Sequence, residues 1–218
     1  MIFVNFKTYA ESSGENGLKL LSTIAEVCET SSVQVIPVVQ AVDLSSAIAH
    51  TKIPVWVQNI DAITYGAHTG GILPEEVKRI GAVGTCLNHS EHKLDSSQIS
   101  THIGRAKEVG LRTLVFAGGI EELTLVLSMK PDFASYEPPE LVGSTTTSVS
   151  QAKPEVISQA AQICHSAGIP LIVGAGIHST EDVRVAVQRG ASGVAVATDI
   201  VKSVDPKKSL LELLAGFS

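Results

Sequence analysis

A repeated alternation of two residue patterns constrains the fold more than any other feature of the sequence. Short runs rich in valine, isoleucine and leucine are each followed by a longer amphipathic stretch, which predicts strands alternating with helices. The predicted strands are residues 2–6, 33–39, 54–60, 82–87, 111–117, 131–137, 169–176 and 192–197. The predicted helices are residues 15–29, 43–49, 74–80, 96–109, 120–129, 154–167, 180–189 and 206–215. Strands that are apolar along their whole length are typical of a parallel sheet covered by helices.

Eight such units fit either a closed (β/α)₈ barrel or a long doubly wound open sheet. With 218 residues, each unit averages about 27 residues, which is short for a barrel that usually needs about 250. The second and third predicted helices are short, which accounts for the small number of residues per unit. Because no linker, low-complexity tract or change of composition divides the chain, residues 1–218 are predicted to form a single α/β domain with shortened helices.

Composition and charge argue against several function classes. The net charge is −6 and the 16 basic residues are scattered, so a nucleic-acid partner is not expected. No apolar run approaches about 18 residues, and the first residues do not have the pattern of a signal peptide, so we expect neither a membrane span nor a leader. The three widely spaced cysteines fit neither a disulfide framework nor a zinc site. We interpret them as free thiols in a reducing cytoplasm.

Polar residues follow the predicted strands at the positions where barrel enzymes place their chemistry, the loops after the carboxyl ends of the strands. These candidates are Asn5 and Lys7 after the first strand, His89, Ser90 and Glu91 after the fourth, Glu137 at the end of the sixth, Gly176 after the seventh, and Ala197, Thr198 and Asp199 after the eighth. A lysine, a histidine and a carboxylate would therefore meet at one mouth, opposite glycine-rich backbone. This combination favours an enzyme.

Taken singly, most of these residues have a simpler interpretation. A lysine at a strand end is usually solvated, and glycines after a strand usually only form a turn. Glu137 is more informative, since it follows Tyr136 and precedes Pro138 and Pro139, which stiffen the backbone and remove two amide donors. A carboxylate in a rigid, partly apolar frame has a raised pKa, as a base working near neutral pH requires. The remaining histidines, including His178, are interpreted as surface or packing residues.

Four motifs occur in the order and at the spacing of one enzyme family. They are N-F-K at 5–7, L-N-H-S-E at 87–91, Y-E-P-P-E-L-V-G at 136–143 and V-G-A-G-I at 173–177. Together they resemble triosephosphate isomerase, and the strings PPELVG and AKPEV are similar to its compact archaeal form. The resemblance implies a TIM barrel that interconverts dihydroxyacetone phosphate and D-glyceraldehyde 3-phosphate through an enediol(ate), in glycolysis and gluconeogenesis, without a cofactor or a metal.

The resemblance also implies roles for the residues at the strand ends. Glu137 would be the base, and His89 would be a neutral electrophile that polarises the carbonyl. A helix beginning at Ser90 and Glu91 would explain that neutrality, because its amide dipoles disfavour an imidazolium. Lys7 would supply fixed positive charge and Asn5 a hydrogen bond to the substrate. Glu91 would brace the base.

Further positions follow from the same resemblance. Backbone N–H groups of Gly176, Ala197 and Thr198 would hold the phosphate. The loop at 138–149 would close over the substrate, with Val142 and Gly143 near it. Thr69, in the loop at 65–71, would approach Glu91 and Lys7 of a partner subunit, which implies a homodimer or a homotetramer.

Two departures from the family pattern keep other functions open. Ser144 and the threonines at 145–147 replace the second glycine of the closing loop, and Asp199 stands where the family prefers a small residue. A carboxylate there would repel phosphate unless it points away, for example to cap the next helix. One alternative is another phosphosugar enzyme, such as a Schiff-base aldolase, which needs a lysine at the end of the sixth strand. The other is a non-catalytic barrel that binds a sugar phosphate.

Overall fold

The eight predicted strands form one closed barrel of parallel strands in the computed structural model, which describes residues 1–138 and 154–218. The strands are β1 (Ile2–Asn5), β2 (Val35–Val39), β3 (Trp56–Val57), β4 (Gly84–Leu87), β5 (Arg112–Ala117), β6 (Phe133–Tyr136), β7 (Leu171–Val173) and β8 (Gly193–Val196). Each strand pairs with the next in the sequence, and β8 pairs back to β1 with Ile2 opposite Val194. This last pairing excludes the open sheet and confirms the (β/α)₈ barrel.

The helices agree with the prediction to within one residue at each end. They are α1 (Gly14–Thr30), α2 (Leu44–His50), α3 (Pro74–Ile80), α4 (Ser96–Glu108), α5 (Ile120–Ser128), α6 (Pro154–Ala167), α7 (Thr180–Gln188) and α9 (Pro206–Leu214), together with the short α8 (Thr198–Val201). The chain is short for a barrel because α2 and α3 have only seven residues each. In the described part of the chain, no helix combines the length and the apolar character needed to cross a bilayer.

Several strands are shorter than predicted because the chain leaves the sheet early to form the mouth of the barrel. After β7, Ala175 and Gly176 both adopt left-handed backbone conformations, with φ of 70° and 68°. After β3, Gln58 still donates its backbone N–H to Val39, but its side chain turns to the end of β1. Residues that look like strand in the sequence are therefore used to build loops.

Two separate apolar clusters stabilise the barrel. The larger one lies between the strands and the surrounding helices. The smaller one fills the interior, where alternate strand residues point inward. Its aromatic centre consists of Phe3, Trp56 and Phe133, and the Phe3 ring meets the other two edge-on with centroids 5.1 and 5.6 Å away. Such contacts add to the free energy gained from burying the rings.

The surroundings of Gly84 show how tightly this interior is packed. A Cβ at this position would lie 2.6 Å from Cε2 of Trp56 and 2.7 Å from the backbone oxygen of Arg112. We therefore expect Gly84→Ala to lower the free energy of unfolding in urea by about 1–3 kcal/mol, as overpacking typically does. Gly104→Ala in α4 is the matched control, because no atom of the described residues lies within 4 Å of the added methyl group. It should stabilise the chain by up to about 1 kcal/mol. Equal effects of the two substitutions would contradict the packing argument.

Candidate functional site

A cleft opens at the carboxyl ends of the strands. Every residue of the predicted catalytic and phosphate-binding set that the structure describes lines it: Asn5, Lys7, His89, Glu137, Gly176, Ala197 and Thr198. The remaining lining residues are Phe116, Ala175, Ile177, His178, Ala195, Val196 and Asp199. The barrel thus brings together side chains from β1, β4 and β6 and the glycine-rich backbone after β7.

Lys7 enters the cleft through an unusual backbone conformation. Its φ is 48°, in the left-handed region that costs an L residue about 1–2 kcal/mol. Two side chains hold this turn: Asn5 accepts the backbone N–H of Lys7 at 3.0 Å, and Gln58 donates to its backbone oxygen at 2.9 Å. Gln58 was not assigned a role from the sequence, although its position at the end of a strand was visible. Local strain maintained by several hydrogen bonds is typical of functional positions.

Asn88 performs the corresponding turn after β4. Its φ is 57°, a conformation that asparagine tolerates better than most residues. The side-chain amide donates to the backbone oxygen of Phe116 at 2.8 Å and to Glu122 at 2.7 Å. Its oxygen accepts the N–H of Leu94 at 3.0 Å. This buried residue, which also received no role from the sequence, fixes the direction in which His89 leaves the strand.

His89 is held as a neutral imidazole. The backbone N–H of Glu91 donates to its Nδ1 at 3.1 Å, so Nδ1 is an acceptor and the ring hydrogen lies on Nε2. Burial lowers the pKa of His89 to about 4, against the opposing effect of the Glu91 carboxylate. The contacts of the ring with Glu91 and Glu137 are therefore not ion pairs at neutral pH, because they require a protonated histidine.

The predicted helix at Ser90 and Glu91 is wrong. This segment is a turn, closed by the N–H of His92 on the backbone oxygen of His89 at 2.8 Å, and α4 begins only at Ser96. The Ser90 hydroxyl donates to Glu137 at 3.4 Å instead of capping a helix. Burial and one amide hydrogen, rather than a helix dipole, keep His89 neutral.

Glu137 is a buried carboxylate, with 8% of its surface exposed. Its Oε2 lies 3.4 Å from Nε2 of His89. Burial raises the pKa of Glu137 to about 7, although Lys7 and the Ser90 hydrogen bond oppose the increase. The raised pKa predicted from the sequence is thus confirmed. Space for this carboxylate depends on Gly174, which directly follows the neighbouring strand β7, since a Cβ there would lie 2.8 Å from Oε1 of Glu137.

Glu91 contacts Lys7 rather than Glu137. Its carboxylate accepts from Nζ of Lys7 at 2.7 Å, and the pair bridges the edge of the cleft, with 57% of the Glu91 side chain exposed and 11% of the Lys7 side chain. The interpretation that Glu91 braces Glu137 therefore needs correction. Glu91 holds the amine of Lys7 in place, and its backbone N–H orients His89.

Asp199 does not form the expected helix cap. It lies in the first turn of α8, which has no side-chain cap, and its Oδ2 lies 2.8 Å from Nδ1 of His178. His178 lines the cleft, so its interpretation as a surface or packing residue was wrong. Its position directly after the glycine-rich segment was a signal that pointed to the mouth of the barrel.

Three predicted positions remain outside this geometry. Val142, Gly143 and all of the predicted closing loop after Pro138 lie outside the described residues. Thr69 lies in the exposed loop that follows β3. Within residues 1–138 and 154–218, no group of three or more histidine, cysteine, aspartate or glutamate side chains could hold a metal ion.

The raised pKa of Glu137 predicts a pH dependence of stability. The folded chain binds this proton more tightly than the unfolded chain, whose carboxyl has the ordinary value of 4.5, so the stabilisation is complete below pH 4.5 and is lost as the pH rises through about 7. Glu137→Gln removes the titration. We expect the free energy of unfolding of the variant, measured in urea, to rise relative to that of the parent protein by about 1–3 kcal/mol between pH 4.5 and pH 8. Glu121→Gln, at an exposed position on α5, is the matched control. A difference between Glu137→Gln and parent that does not change with pH would contradict the assignment.

Comparison with known proteins agrees with this geometry. The model of the triosephosphate isomerase family matches residues 1–214. The triosephosphate isomerase of Methanobacterium bryantii is 40% identical over 217 residues, which cover 99% of this chain and 96% of the relative. That of Metallosphaera sedula is 39% identical, with coverages of 99% and 95%. The solved triosephosphate isomerase of Bartonella henselae shares the fold, with a TM-score of 0.76 at 19% identity over 99% of this chain and 96% of that one. This chain belongs to the triosephosphate isomerase family.

Proposed function

We propose that Glu137 and His89 carry out the reaction of this family, the interconversion of dihydroxyacetone phosphate and D-glyceraldehyde 3-phosphate in glycolysis and gluconeogenesis. The observation that carries the proposal is the pairing of a buried carboxylate, with its pKa raised to about 7, with a neutral imidazole 3.4 Å away. A base of this strength is half ionised near neutral pH, where proton transfer to and from carbon is most efficient.

The two side chains divide the chemistry between carbon and oxygen. Glu137 removes a proton from the carbon beside the carbonyl and returns it to the neighbouring carbon. His89 donates the hydrogen on Nε2 to the carbonyl oxygen and moves protons between the two oxygens of the enediol(ate). The amide hydrogen of Glu91 on Nδ1 supports this role, since it keeps the ring hydrogen on Nε2, the nitrogen that lies 3.4 Å from Oε2 of Glu137.

Lys7 and Asn5 complete the proposed catalytic set. Lys7 places a positive charge where the enediolate and the phosphate carry negative charge, an arrangement that often makes the largest contribution to catalysis. The Oδ1 atom of Asn5 already accepts from the backbone of Lys7 and from Gln58. The Nδ2 amide hydrogens of Asn5 are therefore the group that would donate to the substrate.

The phosphate would bind at the opposite side of the cleft, at the backbone of Gly176, Ala197 and Thr198. Their positions along the cleft and the left-handed turn at Gly176, which exposes backbone amides, support this assignment. Val142 and Gly143 stay predictions.

The rival functions fit the site less well. A Schiff-base aldolase needs a lysine where this chain has Tyr136 and Glu137 at the end of β6. A non-catalytic barrel has no need for a buried carboxylate beside a neutral histidine, an arrangement that costs free energy. Both features favour the isomerase.

We further propose that the chain is a cytoplasmic homodimer or homotetramer of the compact archaeal type. The free thiols of Cys28, Cys86 and Cys164 support the cytoplasm. The relatives from Methanobacterium bryantii and Metallosphaera sedula, whose lengths this chain nearly spans, support the compact type. The exposed loop at 65–71, which carries Thr69, supports contact with a partner subunit.

Substitution of the base tests the catalytic assignment. We expect Glu137→Gln to lower kcat by a factor of at least about 10³, since the variant cannot abstract a proton. The initial rate of D-glyceraldehyde 3-phosphate isomerisation, coupled to NADH consumption by glycerol-3-phosphate dehydrogenase, measures this effect. Glu121→Gln should keep the parent rate. A folded Glu137→Gln variant with parent activity would remove Glu137 from the mechanism.

Charge at Thr69 tests the subunit contact. Light scattering during gel filtration should give the parent protein a mass at least twice the 22.8 kDa of the chain. Thr69→Asp would place a carboxylate close to Glu91 of the partner subunit, so we expect a shift towards monomer and a lower kcat/KM. Thr23→Asp, on α1, introduces the same charge away from this loop and should change neither quantity. A parent protein that is monomeric and active would refute the contact.

A further inference from the structure

His178 and Asp199 form a pair of side chains that the catalytic assignment leaves unexplained. His178 follows β7, and Asp199 lies in α8 after β8. Their Nδ1 and Oδ2 atoms are 2.8 Å apart, and both residues line the cleft together with Gly176 and Thr198. The pair therefore lies beside the backbone proposed to hold the phosphate.

The backbone of His178 is fixed by the start of α7. Its backbone N–H donates to Oδ2 of Asp182 at 3.1 Å. That carboxylate and Ser179 form the capping box at the start of α7. The backbone of His178 is thus tied to a helix terminus, which leaves the imidazole to be oriented by its own contacts.

The ring itself is oriented by Asp199. A carboxylate only accepts hydrogen bonds, so Nδ1 of His178 carries the hydrogen that bridges the two residues. The other nitrogen, Nε2, is buried and has no hydrogen-bond partner among the residues that the structure describes. An unpartnered buried nitrogen costs free energy. The bond to Asp199 is therefore the contact that accounts for the placement of the imidazole.

Asp199 would otherwise oppose the proposed function. Its carboxylate lines the cleft that has to accept a phosphate dianion, and like charges at short range repel strongly where water is partly excluded. Two lysines of the cleft and of α8's end have other contacts: Nζ of Lys7 is paired with Glu91, and Nζ of Lys202 lies 4.3 Å above the ring of Tyr9. Among the described residues, His178 contacts the Asp199 carboxylate directly.

We propose that His178 is a positioning residue that holds the Asp199 carboxylate and offsets its charge, so that this end of the cleft accepts the phosphate group of the substrate. The inference rests on the proposed function, which places the phosphate here. It adds a specificity-determining pair to the site: the departure at residue 199 is compensated by a histidine on the neighbouring strand's loop. A charge-assisted hydrogen bond of this kind is among the stronger contacts that a surface cleft can contain.

His178→Ala leaves the carboxylate in the cleft without its donor. We expect the KM for D-glyceraldehyde 3-phosphate and the dissociation constant of inorganic phosphate, measured by titration calorimetry, to rise roughly tenfold, the size expected when a hydrogen bond to a charged group is lost. The value of kcat should change much less, since Glu137 and His89 are untouched. A general loss of structure would instead lower kcat and the unfolding temperature together.

The double variant decides whether charge is the cause. Asp199→Asn keeps the shape of the side chain and removes its charge, so the single variant should bind phosphate at least as tightly as the parent protein. In His178→Ala/Asp199→Asn we expect most of the lost affinity to return. A double variant as weak as His178→Ala would overturn the proposal, because packing rather than charge would then explain the loss. An unchanged KM and phosphate affinity in His178→Ala would also overturn it.

Two controls separate this inference from the proposed function. His50→Ala removes a histidine that contacts Ser22 at 2.8 Å on the exposed side of α1, and it should leave KM and phosphate binding unchanged. If the parent protein neither isomerises the triose phosphate nor binds phosphate, the proposed function and the inference both fail. If the parent protein does both, and His178→Ala behaves as His50→Ala does, the inference alone fails.

Discussion

The pairing of β8 with β1 is the constraint on which the rest of the structure depends. Once the sheet closes, the carboxyl ends of all eight strands form a single ring, and residues far apart in the sequence become neighbours. Lys7, His89 and Glu137 meet because of this closure. An open sheet with the same strands would arrange these carboxyl ends along a line rather than around one mouth. The site is therefore a property of the whole barrel.

Burial controls the protonation state of both proposed catalytic groups, in opposite directions along the pH scale. It raises the pKa of Glu137 to about 7 and lowers that of His89 to about 4. In both cases water is removed from the charged form of the side chain, which disfavours that form. The same apolar surroundings thus yield a base that can hold a proton at neutral pH and an electrophile that stays neutral there. A single physical cause separates the two roles.

Periodicity predicted the strands and helices because it reflects which face of each element is buried. The positions of Lys7, His89 and Glu137 at strand ends likewise predicted that their side chains would meet at one mouth of the barrel. The errors arose where one side chain chooses between partners. Ser90 has the residue type of a helix cap, yet its hydroxyl binds Glu137. The partner of Asp199 could not be read from its own surroundings, because His178 comes from another strand's loop.

The space beside Glu137 has a consequence for how this sequence can change over time. The carboxylate occupies the volume that any side chain at Gly174 would need, since a Cβ there would lie 2.8 Å from Oε1 and 3.3 Å from Cβ of Glu137. A substitution at this position would therefore displace the proposed base, even though a glycine has no side chain with which to take part in chemistry. The need to keep Glu137 in place therefore restricts residue 174 to glycine, although this residue has no chemical role. The position of a side chain at the end of β6 thus limits the sequence of the loop after β7.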